Sequence, residues 1–368
     1  MWVAPRLQIR ARRVESPRGS MRGGRVPKPA PANADGTRNA PEALSGPRII
    51  SVGGGKGGVG KSVVAANLAV AMAEGKRRVV LVDADLGAAN QHTLFGVDRT
   101  GPGLHGFFEH QVERLADALV PTALTNLSLI PGSGAVVGAA NINHGQKGRL
   151  LRHIARLPAD VVIIDVGAGS AYNALDLFLL AHQRVVVATP QLTSIQNAYG
   201  FLKGAVWREL RRVAAAHRAV ELVDGGGHGE TERVVQLLER AVLHSERLAT
   251  DLQTALIAFG ASLIGNHVFQ PAEARAFQAL SHMARDFLDL TLPVLGSIKA
   301  SRRVHDSVNR RRPFLLEGAF DETGMSFRNF ALRLLQEPLM APPLPRGDEP
   351  AEVPVIDVAE GAVSAQLS

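Results

Sequence analysis

The segment Gly53-Gly54-Gly55-Lys56-Gly57-Gly58-Val59-Gly60-Lys61-Ser62 carries the spacing G-x-x-x-x-G-K-S over residues 55–62. Glycines at that density let the backbone turn tightly, so that successive N–H groups converge on phosphate oxygens. Lys61 then reaches the β- and γ-phosphates of a nucleotide, and the Ser62 hydroxyl becomes a ligand of Mg2+. The plainer alternative is a glycine-rich turn with a chance lysine. The flanks decide against it. Ile49, Ile50, Ser51 and Val52 read as a buried strand running into the loop, and 62–74 reads as a helix leaving it, so the positive end of a helix stands behind the glycines.

Two carboxylate positions follow at the ends of apolar runs: Asp83 and Asp85 in Val82-Asp83-Ala84-Asp85-Leu86-Gly87, and Asp165 in Ile164-Asp165-Val166-Gly167-Ala168-Gly169. Strand ends are where ligands of open parallel sheets collect. An aspartate closing a buried strand is expensive without a cation, and a magnesium shell is its natural partner. Taken singly, each could equally cap the following helix. Beside a phosphate loop, the metal reading takes precedence.

These residues need a scaffold, and the apolar periodicity describes one. Strands are expected at 78–82, 127–130, 161–164, 185–188, 262–265 and 293–298. They alternate with helices over 104–119, 148–156, 171–180 and from Ser194 onward, with a last helix at 325–336. Continuous Val and Ile runs mean strands buried on both faces, as in a parallel sheet covered by helices on each side. The fold class is α/β: a doubly wound, mostly parallel sheet in three layers, of P-loop NTPase architecture. The stretch 223–230 reads as a flexible loop, and 231–259 as one or two inserted helices. The domain is expected at 48–336 with a helical insertion at about 207–259. A basic leader at 1–47 and a Pro-rich acidic tail at 337–368 are expected to be disordered.

Charge location bears on partners. The chain of 368 residues has a formal net charge of +7 and no cysteine. Residues 1–48 hold ten Arg or Lys and three acids, a net +7, while 337–368 hold one Arg and six acids, a net −5. The core retains about +5 by difference, a weak basis for a nucleic-acid face. Without cysteine the chain itself offers no disulfide, thiolate metal site, iron–sulfur ligation or cysteine nucleophile. No uncharged apolar stretch reaches the roughly 18 residues of a membrane-spanning helix. The Arg residues of the leader precede no apolar region of a secretory signal. A cytoplasmic setting is expected, with the inner face of the membrane as a peripheral site.

The motifs resemble the deviant Walker A ATPases of the MinD/ParA family over about residues 48–335. The deviation is the additional Lys56. The resemblance implies that Lys56 reaches across a nucleotide-sandwich homodimer to the partner copy's phosphates, where a second cation offsets charge developing in phosphoryl transfer. It further implies a catalytic set of Lys56, Lys61 and Asp85, with Asp85 orienting water. Nucleotide contacts are expected from Gly55, Lys56, Gly57, Gly58, Val59, Gly60, Lys61, Ser62 and Val63. Magnesium contacts are expected from Ser62, with Asp83 and Asp165 outside them. Gly167 and Gly169 are placed as a switch sensing the γ-phosphate. Asn266 and Pro190 correspond to the adenine side of the site; the two-faced amide of Asn266 suits an adenine edge. No N-K-x-D pattern selects guanine, so ATP is the expected nucleotide.

Within that family, residues 83–90, 165–169 and 310–315 look most like the flagellar-number regulators of the FlhG/FleN branch. Residues 1–48 contain nothing matching the partner-GTPase-stimulating motif those regulators can carry. The expected function is a slow, regulatory ATPase that dimerises with ATP, meets a regulatory protein partner, and governs the placement or number of a cellular structure. Alternatives are a ParA-type partition protein with DNA as partner, supported by Arg302, Arg303, Arg310, Arg311 and Arg312, and an ATP-dependent ligase on the same fold. A metal-cluster branch is excluded by the absence of cysteine. A membrane surface is a further partner class if the helix 325–336 lies on lipid, whereas its apolar spacing suits a last core helix.

Overall fold

The computed structural model describes residues 46–85, 87–97, 101–132, 144–169, 171–225 and 233–337. The basic leader up to residue 45, the tail beyond 337 and most of the 223–230 loop lie outside them.

The described chain alternates strand and helix. β1 (Arg48–Gly54) leads to α1 (Lys61–Glu74), then β2 (Val79–Ala84), α2 (Gln91–Leu94) and α3 (Gly103–Phe108). Next come β3 (Val120–Pro121), β4 (Leu127–Ile130), α4 (His144–Ile154), β5 (Val161–Ala168), α5 (Tyr172–Leu179) and β6 (Gln183–Ala188). Four helices follow: α6 (Leu192–Ala216), α7 (Val220–Asp224), α8 (Val234–His244) and α9 (Glu246–Ile257). The chain closes with β7 (Ala261–Val268), α10 (Arg275–Leu288), β8 (Val294–Lys299), α11 (Arg302–Asn309) and α12 (Glu322–Gln336).

The strands form one eight-stranded sheet in the order β3-β4-β2-β5-β1-β6-β7-β8. Every pairing is parallel except the short edge pair β3–β4. The middle strands are apolar on both faces because both faces are covered. On one side Val64, Leu68 and Met72 of α1 pack with Phe327, Phe330 and Leu334 of α12. On the other, Phe178 of α5, Phe201 and Leu210 of α6, Leu252 of α9 and Phe277 of α10 form the second core layer. This is the expected doubly wound, three-layer α/β fold.

Three elements depart from the sequence reading. The expected helix at 104–119 is broken: α3 stops at Phe108, a 3-10 turn covers Leu115–Ala118, and β3 adds the antiparallel edge strand. His110 takes φ +59°, a left-handed conformation that a continuing helix does not admit. α10 goes beyond the expected elements, although Phe277, Leu280, Ala284 and Leu288 bury one face at helical spacing. α6 runs unbroken for 25 residues through Trp207, so the 207–259 stretch comprises its end together with α7, α8 and α9. α12 lays its apolar residues against the core.

Candidate phosphate and metal site

β1 ends on Gly54 and α1 begins at Lys61, so residues 55–60 bridge the C-terminal end of a central strand and a helix N-terminus. α1 has no side-chain cap, which leaves its first N–H groups to an anion. Glycine is obligatory at two points. A Cβ on Gly55 would stand 1.9 Å from the Asn197 carbonyl oxygen; Gly60 has φ +94°, and a Cβ there would meet Asn266 Nδ2 at 2.2 Å. Around Gly57 and Gly58 a Cβ would meet nothing within 4 Å, so the outer lip of the loop is open.

Lys61 is buried, and its Nζ donates to the Lys56 carbonyl at 3.3 Å, across the loop it closes. Burial lowers its pKa, while Asp165 and Asp85 pull it back up. Lys56 is exposed, with Nζ 3.3 Å from Thr193 Oγ1 at the start of α6. Ser62 and Val63 occupy the first turn of α1, both half-buried.

Asp83 and Asp165 are 82 residues apart in sequence and directly paired in the β2–β5 register. Both are buried. Burial drives the Asp83 carboxyl up, the charge of Asp165 adds to it, and the Gln91 and Asp85 amides oppose. Burial also raises Asp165, against hydrogen bonds from the Gln91 and Ser62 side chains and the charge of Lys61. Asp85 sits at the rim, its Oδ1 accepting from the amides of Gly87 (3.3 Å) and Ala88 (3.0 Å). Gly167 passes so close that a Cβ would be 3.1 Å from that same oxygen, and the Gly169 amide donates to Gly54 O at 3.4 Å. The two glycines therefore join Asp85 to the end of β1.

Pro190 and residues 56–59 line one cavity of about 600 Å3, completed by Gln191, His267, Phe269 and Glu273. Asn266 is buried behind it, and its Nδ2 donates to the Val59 carbonyl at 2.8 Å. Its amide thus braces the loop, and the cavity wall on that side is formed by His267 and Phe269.

Sequence reasoning missed Gln91. It is fully buried, its backbone N–H donates to Asp83 Oδ2 (2.9 Å), and its Nε2 donates to both Asp165 Oδ2 (2.8 Å) and Ser62 O (3.0 Å). Nothing in a lone glutamine after Asn90 signals this, because its three partners come from separate elements.

Whether the residues suit Mg2+ is tested by what they leave unmet. Asp165 Oδ1 and Gln91 Oε1 are buried without a hydrogen-bond partner, beside two carboxylates that repel each other. A hydrated divalent cation suits the first of these oxygens and the two carboxylates, with a water proton for Asp165 Oδ1 and positive charge for the pair. Among the described residues no cluster of three or more His, Cys, Asp or Glu forms a metal cage. That fits Mg2+, which keeps its waters and borrows phosphate oxygens.

Residues 47–203 match the family model ParA, described as NUBPL iron-transfer P-loop NTPase. The chain is 27% identical over 294 residues to the septum site-determining protein MinD of Synechocystis sp., covering 78% of this chain and 89% of that protein. It is also 27% identical over 301 residues to the antiactivator FleN of Pseudomonas aeruginosa, covering 80% and 89%. Among solved structures, the Mg-ADP complex of MinD from Pyrococcus horikoshii aligns with TM-score 0.54 at 20% identity, over 78% of this chain and 96% of that one. That likeness concerns the fold. The phosphate loop and the paired aspartates thus stand in a chain that is similar to MinD and FleN over most of its length and that matches the ParA model of P-loop NTPases over residues 47–203.

Proposed function

We propose that this protein is a Mg-ATP-binding, ATP-hydrolysing switch that closes as a homodimer with ATP and reopens on hydrolysis. The observation that carries the reading is the convergence of Lys61, Asp83, Asp165 and Asp85 on one open phosphate loop, with Lys56 exposed on its outer lip. The loop amides and Lys61 bind the phosphates, and Ser62 ligates Mg2+ with Asp83 and Asp165 behind it. A bound Mg2+ would supply charge neutralisation during phosphoryl transfer. Asp85, held by two amides beside Gly167, orients the attacking water. Contact between γ-phosphate and Gly167 or Gly169 is what reports the nucleotide to the rest of the fold. Lys56, exposed at the surface, is the residue offered to a second copy.

The output is a binding state read by a regulatory protein, in a cytoplasmic setting. A lipid surface receives little support, since Phe327, Phe330, Ala331 and Leu334 of α12 are buried against the core. Among the described residues no helix is long and apolar enough to cross a membrane. DNA is the second reading. Arg303 and Arg310 pair with Asp321 and Glu317, while Arg302, Arg311 and Arg312 are exposed around α11 and the turn after it. A DNA affinity that appears only with ATP and falls steeply with salt would favour that reading.

The test is the molar mass of the Asp85→Ala protein by light scattering, first with ADP and then with ATP and Mg2+. Doubling with ATP alone supports the switch. An unchanged mass removes the dimer and with it the role given to Lys56, while normal ATP turnover by the variant removes the role given to Asp85.

A further inference from the structure

The geometry points to Gln91 as a positioning residue that sets the Mg2+ affinity of the nucleotide site, an inference that rests on the Mg-nucleotide reading above. Gln91 opens the four-residue α2 and is fully buried. Burying an amide costs more than burying a leucine of similar size unless its groups are paired. Here the pairing goes entirely to the candidate site. The Nε2 partners, Asp165 Oδ2 at 2.8 Å and the Ser62 carbonyl at 3.0 Å, can only accept. The amide orientation follows from that: both N–H groups face the site and Oε1 faces away from those acceptors, buried with no donor of its own. The backbone N–H of the same residue donates to Asp83 Oδ2 at 2.9 Å.

One residue therefore fastens three separate pieces: β2, β5 and the first turn of α1. It supplies a neutral donor to each of two carboxylates that sit in direct register and repel one another. A lysine or arginine there would neutralise the pair and compete with a cation; glutamine orients the pair and leaves its charge for Mg2+. Engaging Oδ2 of Asp165 leaves Oδ1 as the oxygen without a partner. Partners that orient metal-binding groups in this way commonly change metal affinity by 10–100-fold when removed.

Gln91→Leu keeps the bulk and the backbone N–H to Asp83 and deletes only the amide. The experiment measures binding of a fluorescent ADP analogue to the full chain, in EDTA and across a Mg2+ titration, for wild type and variant. The expected result is a Mg2+ half-saturation raised at least tenfold, with nucleotide affinity in EDTA changed less than about twofold. A residue that merely fills space would shift both affinities together or neither. An unchanged Mg2+ half-saturation overturns the inference, as does an equal loss in EDTA. If Gln91→Leu does not fold, Gln91→Met serves in its place, and failure of both assigns Gln91 to the core and overturns the inference too. If wild type itself binds the analogue with no Mg2+ dependence, the Mg-nucleotide reading fails, which is distinguishable from failure of the role of Gln91 alone.

Discussion

Replacing Asp165 by asparagine should stabilise the nucleotide-free protein while removing its response to Mg2+. Asp165 is 1% exposed, and burial pushes its carboxyl from 3.8 up to about 6. Well below pH 3.8 the folded and unfolded chains both carry the proton and no penalty exists. As pH rises, the unfolded chain ionises first and the folded one holds its proton, so stability falls until the folded group ionises near pH 6. Above that the penalty is complete, at ~3 kcal/mol for a displacement of about two units. Asparagine carries no charge and escapes it, but its NH2 occupies the place of an oxygen with no partner, which returns ~1 kcal/mol for a buried unpaired donor. The net gain is ~2 kcal/mol at pH 8, or roughly 4 °C in Tm for a domain of this size. Thermal unfolding in EDTA at pH 8 and pH 5 reads it directly: the variant should melt above wild type at pH 8, with the gap narrowing at pH 5. Adding Mg2+ and ADP should reverse the order, because only wild type gains from the cation. A variant melting below wild type in EDTA at pH 8 would refute the claim that this carboxylate is held at a cost for a cation.

Other substitutions probe the loop and its brace. Gly60→Ala places a Cβ 2.2 Å from Asn266 Nδ2 at φ +94°, so a loss of at least ~2 kcal/mol in Tm-derived stability and of ADP binding by calorimetry is expected. Asn266→Ala removes the donor to the buried Val59 carbonyl; it should cost ~1–3 kcal/mol in urea unfolding and weaken nucleotide binding even in EDTA, which separates a loop brace from a metal effect. Lys56→Ala, at an exposed position whose recorded partner is Thr193, should leave unfolding within ~0.5 kcal/mol of wild type while abolishing any ATP-dependent increase in molar mass.

The local chemistry was legible in the chain. Glycine at 55 and 60 next to Lys61 and Ser62 specifies a turn that few other sequences make, and the Val and Ile runs before Gly53 and Asp165 specify strands buried on both faces. Periodicity failed where a local conformation interrupts it: His110 at φ +59° ends a helix that the apolar spacing of 104–119 would continue. The side-chain direction of Asn266 was equally out of reach, since its partner Val59 lies 207 residues away.

The sequence alone determined the glycine-rich turn between strand and helix, the aspartates that follow apolar runs and the α/β alternation, because each rests on backbone conformation or burial within a few consecutive residues. Strand order was decided only in three dimensions. The placement of β5 between β1 and β2 sets Asp165 against Asp83 and, through α2, brings Gln91 under both. Those neighbours share no sequence interval that a pattern could record. Their contact arises from packing two helical layers over one twisted sheet, and the mutual repulsion of the two carboxylates exists only after that packing.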